Sequence, residues 1–392
     1  MNKQHGLNLN FKWEVKVMKV LIAADSFKGS ASSKQVAAYL AAGIREAQAD
    51  VEVSQVPIAD GGEGTVESLV SACGGKIYRT EVVGPLGGSV DANWAMLSHN
   101  QAVIELAQAA GLPLVKGKLR PLAATTYGVG QLLAQAIKHG AKRIYLGLGG
   151  SASTDGGVGL AQALGGHFLD AKGAEVKLGG GHLKEICQVD LTALDKKLAG
   201  IEIIGLADVT NPLTGPLGAA AVFGPQKGAS AAEVQFLDAS LVHLAQVVAK
   251  VHAGSYQASP GAGAAGGTGY GLLAFLGGRL QPGIETIMEL IGLEKKLVDQ
   301  DLVITGEGRL DGQSLNGKAP LGIAKLAKKQ GLPVIAVTGG VGAEIESVYK
   351  AGIDLVLSST TRPMPVEEAI KQAPSLIKAA GYTALKAYLL GR

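Results

Sequence analysis

The chain of 392 residues is poor in several residue types from which functional sites are often built. Its two cysteines, Cys73 and Cys187, fit neither a metal-binding spacing nor a disulfide framework, which favours a reducing, cytoplasmic setting. The seven histidines form no HExxH or His-x-His pair, so no metal site built on imidazole is predicted. Aromatic residues make up only 4% of the chain, which argues against a base-stacking surface for single-stranded nucleic acid.

Long runs of one residue class are also missing. The net charge of +3 is spread along the chain, so neither a nucleic-acid surface nor a polybasic membrane patch is predicted. No stretch approaches the ~18 uninterrupted apolar residues that a membrane span needs. Residues 1–17 carry charges throughout and have no apolar core like that of a secretory signal, so they are expected to form a disordered extension before a domain that starts at Met18. A small molecule is the expected partner.

Aliphatic residues and glycine are abundant instead. Hydrophobic residues make up 47% of the chain, and the length suffices for roughly two domains that each bury a core. The 57 glycines are about twice the usual share of roughly 7%, and they cluster at the ends of apolar runs, where loops bind ligands.

The apolar runs alternate with helical stretches, which is typical of parallel sheets with crossover helices. Helices are expected over residues 32–47, 64–71 and 366–390, and strands over residues 20–23, 51–56, 102–105, 144–148, 201–206, 302–305, 334–337 and 355–357. Pro and Gly at residues 84–88 and 281–283 are typical of domain boundaries. The pattern therefore predicts an α/β domain over residues 18–84 and 284–392, interrupted by an inserted α/β domain over residues 85–283.

Ligands of open α/β sheets bind beyond the carboxyl ends of the strands. Five predicted strands end in segments that supply carboxylates, glycines, cations and hydroxyls: residues 25–30, 60–65, 149–157, 208–212 and 306–312. Together these segments predict one cleft that holds phosphates, a metal ion and a polar substrate.

The segment from Gly149 to Gly157 follows an apolar strand and has the sequence GGSASTDGG. Small and hydroxyl-bearing residues can turn their backbone amides toward an anion, which predicts a phosphate cradle. Its predicted nucleotide-phosphate contacts are Gly149, Gly150, Ser151, Ser153 and Thr154. The alternative is a glycine-rich turn in which Ser or Thr caps the next helix.

The charged residues at the strand ends suggest individual roles. Lys28 and Arg309 are placed to bind an anionic substrate, and the alternative is that they form salt bridges with neighbouring acids. Asp208 ends an apolar strand and is predicted as the base that accepts a hydroxyl proton, whereas Asp60 and Asp155 are predicted magnesium ligands. The predicted substrate contacts are Asp25, Ser26, Glu307 and Asp311.

Two glycine-rich spacings imitate nucleotide motifs. Residues 312–318 match the first seven positions of a P-loop, but Ala319 stands where Ser or Thr should hold magnesium. Lys318 is kept as a phosphate contact, with a solvated lysine at a helix start as the alternative. Residues 261–266 fit GxGxxG without a preceding strand, so residues 266–271 are interpreted as a loop that lines the cleft or as a helix start.

The strand-end segments resemble those of the bacterial two-domain glycerate kinases. The resemblance rests on DSFKGS at residues 25–30, ADGGEGT at 59–65, GGSASTDGG at 149–157, DVTNPL at 208–213, GEGRLDGQS at 306–314 and GKAP at 317–320. It covers the chain from Met18 to the C-terminal helix. It implies a flavodoxin-like domain interrupted by a domain similar to the restriction-endonuclease fold, with the active site between them. It also implies phosphorylation of D-glycerate by ATP.

The function that this resemblance implies is transfer of the γ-phosphoryl group of Mg-ATP to D-glycerate, expected at O2, which gives 2-phosphoglycerate. Transfer to O3 and transfer to another small hydroxy acid remain as alternatives. A sensor that binds phosphorylated metabolites without catalysis is less consistent with so many carboxylates beside a phosphate site.

Overall fold

The structure is a computed structural model that describes residues 17–115, 117, 119–251, 254–310, 319–343 and 345–391. The expected extension over residues 1–17 lies outside the described residues except for Val17. Two predicted site residues, Asp311 and Lys318, also lie outside them.

Strands and helices alternate along most of the described chain. The strands are β1 Lys19–Ala24, β2 Glu52–Gln55, β3 Lys76–Val83, β4 Ser89–Leu97, β5 Gln101–Glu105, β6 Arg143–Gly147, β7 His167–Leu169, β8 Gln188–Asp190, β9 Glu202–Leu206, β10 Arg279–Gln281, β11 Leu302–Leu310, β12 Val334–Val341 and β13 Leu355–Ser358. The helices are α1 Ser33–Ala47, α2 Thr65–Cys73, α3 Ala107–Ala110, α4 Tyr127–Lys138, α5 Val158–Ala163, α6 Thr192–Leu198, α7 Ala219–Phe223, α8 Ala231–Val248, α9 Ala264–Ala274, α10 Gly283–Ile291, α11 Leu293–Lys296, α12 Ala319–Lys329, α13 Glu346–Lys350 and α14 Val366–Leu390. The predicted α/β fold is confirmed.

The first sheet is wholly parallel and has the strand order β13-β12-β11-β1-β2. Its interior strand β1 is apolar on both faces, and Val20 pairs with Leu302 on one side and Val53 on the other. The chain order reverses at β1, between β11 and β2. A crevice forms at such a point in open parallel sheets.

The second sheet has the order β10-β9-β6-β5-β4-β3. Four of its strands are parallel, whereas β3 and β4 form an antiparallel hairpin at one edge. This hairpin was not predicted, because β3 is a half-exposed strand with charged residues at Lys76, Arg79 and Glu81. The predicted boundary between residues 84 and 85 falls in the hairpin turn. β3 therefore belongs to the second sheet, although it precedes that boundary.

A helical layer lies between the two sheets. One hydrophobic cluster joins Leu21 of the first sheet and Val103 of the second to Leu69 of α2 and Ile287 of α10. Helices α1 and α14 cover the opposite face of the first sheet. The second sheet packs its other face against α4, α5, α8 and α9. The shared core holds the carboxyl ends of both sheets near the same cleft.

Candidate active site

The cleft contains two cavities that share residues. A cavity of about 340 Å³ is lined by the segments that follow β2, β6 and β9. A cavity of about 800 Å³ is lined by the residues that follow β1, the end of β11 and part of α14. Lys28 and Asp60 line both cavities. The structure therefore brings residues from all five predicted strand ends to one cleft.

Two glycines allow the segment after β2 to lie against the second sheet. A Cβ atom on Gly147 would lie 2.3 Å from the carbonyl oxygen of Gly61, and one on Gly149 would lie 2.8 Å from Cα of Gly62. Real Cβ contacts are not this short. These positions accept only glycine without a backbone shift, and they join the Asp60 segment to the predicted phosphate cradle.

Lys28 and Asp60 form an ion pair where the cavities meet. Lys28 Nζ lies 3.5 Å from Asp60 Oδ2, and 65% of the lysine side chain remains exposed. The carboxylate of Asp60 is the main reason that the pKa of Lys28 is raised. The salt bridge given as the alternative for Lys28 is therefore present, yet the ammonium group stays accessible to a ligand.

Asp25 follows β1 and lies beside this ion pair. The pKa of Asp25 is raised to about 7, mainly by burial and next by the negative charge of Asp60. Its Oδ1 accepts a hydrogen bond of 2.6 Å from the backbone N–H of Ser26. The larger cavity brings Asp25 and Ser26 together with Glu307 and Arg309. The last two lie within β11, because that strand continues to pair with β12 as far as Leu310.

Asp208 lies at the opposite wall, in the smaller cavity. Its Oδ1 accepts a hydrogen bond of 2.7 Å from the backbone N–H of Gly283, at the start of α10. The pKa of Asp208 is raised to about 7, because burial and the negative charge of Asp60 raise it by more than this hydrogen bond lowers it. Asn211 lies in the same segment, and its Nδ2 donates a hydrogen bond to the carbonyl oxygen of Leu217.

A second buried carboxylate, that of Glu105, binds the start of a helix in a similar way. Glu105 ends β5, and its Oε1 accepts a hydrogen bond of 2.8 Å from the backbone N–H of Val66 in the first turn of α2. Burial raises the pKa of Glu105 to about 7. Unlike Asp208, Glu105 is not among the residues that line the two cavities.

The predicted phosphate cradle divides into two parts. Gly149, Gly150 and Ser151 line the smaller cavity. Ser153 and Thr154 are fully buried behind them and are not among its lining residues. The sequence pattern identified the segment but could not separate its accessible part from its buried part.

Asp155 has an environment that does not suit the predicted metal-binding role. It is 0% exposed. Its Oδ2 accepts hydrogen bonds from the backbone N–H of Thr126 at 2.8 Å and from Thr126 Oγ1 at 2.9 Å. Its Oδ1 accepts from the backbone N–H of Gly157 at 3.3 Å. The carboxylate therefore anchors the loop, and these hydrogen bonds leave it poorly placed to bind magnesium.

Lys227 is a cleft residue that the sequence reasoning missed. It ends a 3₁₀ turn over Pro225–Lys227 and lines the smaller cavity, although it is only 2% exposed. A lysine between Gln226 and Gly228 resembles an ordinary surface turn. The sequence feature that could have identified it is its position in a turn between Pro225 and Gly228. Residues 266–271, interpreted from the sequence as a cleft-lining loop or a helix start, lie within α9, whose backbone is non-helical at Ala265, Gly266 and Gly267. Ala264 and Ala265 line this cavity.

The donors fit Mg²⁺ only in combination with bound phosphates. Across the ranges that the structure describes, no group of three or more His, Cys, Asp or Glu side chains could hold a metal ion. Mg²⁺ usually binds one or two carboxylates and takes its other ligands from water and substrate phosphates. Asp25 and Asp60 offer such a pair, since the charge of Asp60 disfavours ionisation of Asp25 and a cation would relieve this repulsion.

Comparison with known proteins gives the family. A family model described as "Glycerate kinase family" matches residues 20–389. The chain belongs to the glycerate kinase family. It is 44% identical to a glycerate kinase of Bacillus subtilis (strain 168) over 358 residues, which cover 91% of this chain and 94% of that protein. It is 45% identical to a glycerate 2-kinase of Escherichia coli (strain K12) over 358 residues, with coverage of 91% and 94%.

A solved structure has a similar overall arrangement. The crystal structure described as that of glycerate kinase 2 from Salmonella typhimurium LT2 superposes with a TM-score of 0.84 at 41% identity, and covers 96% of this chain and 99% of its own. Membership in the glycerate kinase family makes the chain an enzyme, a kinase, as the sequence predicts. Among the residues that the structure describes, no helix is both long and apolar enough to span a membrane.

Proposed function

We propose that the protein is a cytoplasmic kinase that transfers the γ-phosphoryl group of ATP to O2 of D-glycerate, giving 2-phosphoglycerate and ADP. The observation that carries the proposal is the meeting of the two cavities at Lys28 and Asp60. A phosphate donor and an acceptor that occupy different cavities would meet at this cation and carboxylate. The name of the Escherichia coli relative, glycerate 2-kinase, supports transfer to O2.

The smaller cavity would hold the nucleotide phosphates. Gly149, Gly150 and Ser151 would supply the surface against which these phosphates lie. Asp60, with Asp25 beside it, would hold Mg²⁺ together with phosphate oxygens. When bound, Mg²⁺ would neutralise phosphate charge during transfer.

The larger cavity would hold D-glycerate at its polar end. Arg309 offers a planar fork for the carboxylate of the substrate, and Asp25, Ser26 and Glu307 lie in the same cavity to accept or donate hydrogen bonds. Lys28 would stay in contact with the phosphoryl group as this group passes from one cavity to the other, because its exposed ammonium group lies where the cavities meet. The roles predicted for Asp311 and Lys318 stay predictions.

Asp208 would accept the proton of the attacking hydroxyl group. It lines the smaller cavity together with Lys28 and Asp60, so it would reach the hydroxyl group where that group enters from the larger cavity at these two shared residues. Its position is fixed by the bond from Gly283. A carboxylate with a pKa of about 7 is a stronger base than an ordinary aspartate at neutral pH.

The architecture supports a domain assignment as well. The order β2-β1-β11-β12-β13 corresponds to the 2-1-3-4-5 order of flavodoxin-like sheets. We infer that the first sheet forms a flavodoxin-like domain and that the second belongs to an inserted domain similar to the restriction-endonuclease fold. Closure of the two domains over the cleft would exclude water, which competes with glycerate as the phosphoryl acceptor.

The experiment is a coupled ADP-release assay with D-glycerate, L-glycerate and other small hydroxy acids, followed by NMR of the product. We expect Mg²⁺-dependent turnover that prefers D-glycerate and a product phosphorylated at O2. Phosphorylation at O3 would overturn the regiochemistry alone. No turnover above background with any acceptor would contradict the proposed activity.

A further inference from the structure

Lys227 places a buried positive charge against the predicted phosphate cradle. Its Nζ donates hydrogen bonds to Ser151 Oγ at 3.4 Å and to the carbonyl oxygen of Ser153. The hydroxyl groups of Ser151 and Ser153 lie 3.1 Å apart, and Ser151 Oγ accepts from the backbone N–H of Ser153 at 3.2 Å. The ammonium group therefore lies inside the bend of the loop whose outer residues line the smaller cavity.

A charge in this position is costly without an anion. Moving an ammonium group out of water is unfavourable unless it is paired, and apolar residues of similar volume often serve better in a purely structural position. The hydrogen bonds described for Lys227 go to neutral oxygens, a hydroxyl and a carbonyl. Burial lowers the pKa of the lysine to about 7, and the charge of Asp155 opposes that shift. The carboxylate oxygens of Asp155 are already engaged by Thr126 and Gly157.

An anion in the smaller cavity would supply the missing charge. Lys227 lines this cavity together with the glycines of the cradle. We propose that Lys227 is a phosphate-binding residue, which holds the Ser151–Ser153 bend in shape and neutralises the nucleotide phosphate bound beside it. This inference rests on the proposed function in one respect, since it takes the bound phosphate to be that of the nucleotide. The other charged residues that line the cavity are Lys28, Asp60, Glu63 and Asp208.

The first test measures binding of ADP without Mg²⁺ by calorimetry. Lys227→Met removes the charge at nearly constant volume, and we expect about 10- to 100-fold weaker binding, the loss of one charge-assisted hydrogen bond. Lys227→Arg keeps the charge and should restore most of the affinity. Lys196→Met, which removes an exposed lysine of α6, is the control and should bind as the wild type does. Unchanged affinity in Lys227→Met would overturn the proposal.

The second test separates a phosphate contact from a purely structural role. Calorimetry at pH 8 in two buffers of different ionisation enthalpy gives the number of protons taken up with ADP. A lysine with a pKa near 7 is mostly neutral at this pH and becomes charged beside phosphate, whereas arginine is charged throughout. The wild type should therefore take up about one proton more than Lys227→Arg. Equal uptake by the two proteins would overturn the change of charge alone. The phosphate contact would be overturned by unchanged ADP affinity in Lys227→Met or, if that variant fails to fold, in Lys227→Gln.

The turnover assay distinguishes this inference from the proposed function. ADP binding that depends on Lys227, without turnover on any hydroxy acid, would support the phosphate contact and contradict the kinase activity. Normal turnover and unchanged ADP binding in the Lys227 variants would overturn the phosphate contact alone.

Discussion

Asp208 offers the sharpest test of the proposed chemistry, because its two roles can be separated. Asp208→Asn removes the base but keeps an oxygen that can accept the hydrogen bond from Gly283. General-base catalysis contributes about 10²- to 10⁴-fold, so kcat should fall by that factor, or by about 3–5 kcal/mol of transition-state stabilisation. The folded protein should not lose stability at pH 7, because the raised pKa of Asp208 means that its ionisation disfavours the folded state there. Asp208→Ala also removes the acceptor at the start of α10 and should be less stable than Asp208→Asn by about 0.5–2 kcal/mol.

The pH dependence of kcat/KM gives a second quantitative test of Asp208. The pKa of Asp208 is raised to about 7 in the free protein, and a base acts only when it is ionised. The wild-type kcat/KM should therefore fall about tenfold per pH unit below pH 7. The residual activity of Asp208→Asn should depend less steeply on pH over the same range.

Glu105→Gln is the matched control. Glu105 is also a buried carboxylate that accepts a bond from the first turn of a helix, and its pKa is likewise raised to about 7. Since it lines neither cavity, its substitution should leave kcat unchanged. Steady-state kinetics with ATP and D-glycerate measure all three variants. A kcat for Asp208→Asn within threefold of the wild type would refute the role of Asp208 as the base.

Three further predictions concern stability and binding. Glu105 has a raised folded-state pKa, so the wild type should lose stability as pH rises from about 5 to 7, and Glu105→Gln should remove about 2–3 kcal/mol of this loss. Urea unfolding of both proteins at pH 5 and pH 8 measures the difference, and an equal loss of stability in the two proteins would contradict it. Gly147→Ala should cost about 1–3 kcal/mol, because its Cβ would lie 2.3 Å from the carbonyl oxygen of Gly61; an unchanged Tm would show that the segments do not lie this close. Lys28→Met should lower kcat about 10²- to 10³-fold, as expected for removal of a charge that stabilises the transition state, with Lys28→Arg partly active; equal kcat in Lys28→Met and the wild type would remove Lys28 from the transfer step.

The buried strands could be predicted because each is a continuous apolar run. β1 and residues 302–305 of β11 are such runs, so sequence alone locates them, whereas the polar remainder of β11 to Leu310 was assigned to the segment after the strand. The hairpin of β3 and β4 escaped prediction for the opposite reason. Its exposed side carries charged residues, and the Gly and Pro residues of its turn are also typical of a domain boundary.

The candidate site shows a similar division. The rule that ligands bind at the carboxyl ends of parallel strands identified the segments around Asp25, Asp60 and Asp208 without a structure. It could not distinguish an accessible carboxylate from a buried one. Asp155 is such a buried carboxylate, and it accepts hydrogen bonds from Thr126 inside the protein. Lys227 was missed because its partners lie more than 70 residues away along the chain.

The central claim is that a donor in one cavity and D-glycerate in the other meet at Lys28 and Asp60. Its most direct test is NMR of the product formed from ATP and D-glycerate, with ADP release followed in the same sample. The account predicts stoichiometric ADP and 2-phosphoglycerate with the wild-type protein, and formation of both about 10²- to 10⁴-fold more slowly with Asp208→Asn. ADP release without phosphorylated glycerate, or the same rate of product formation from Asp208→Asn, would contradict it.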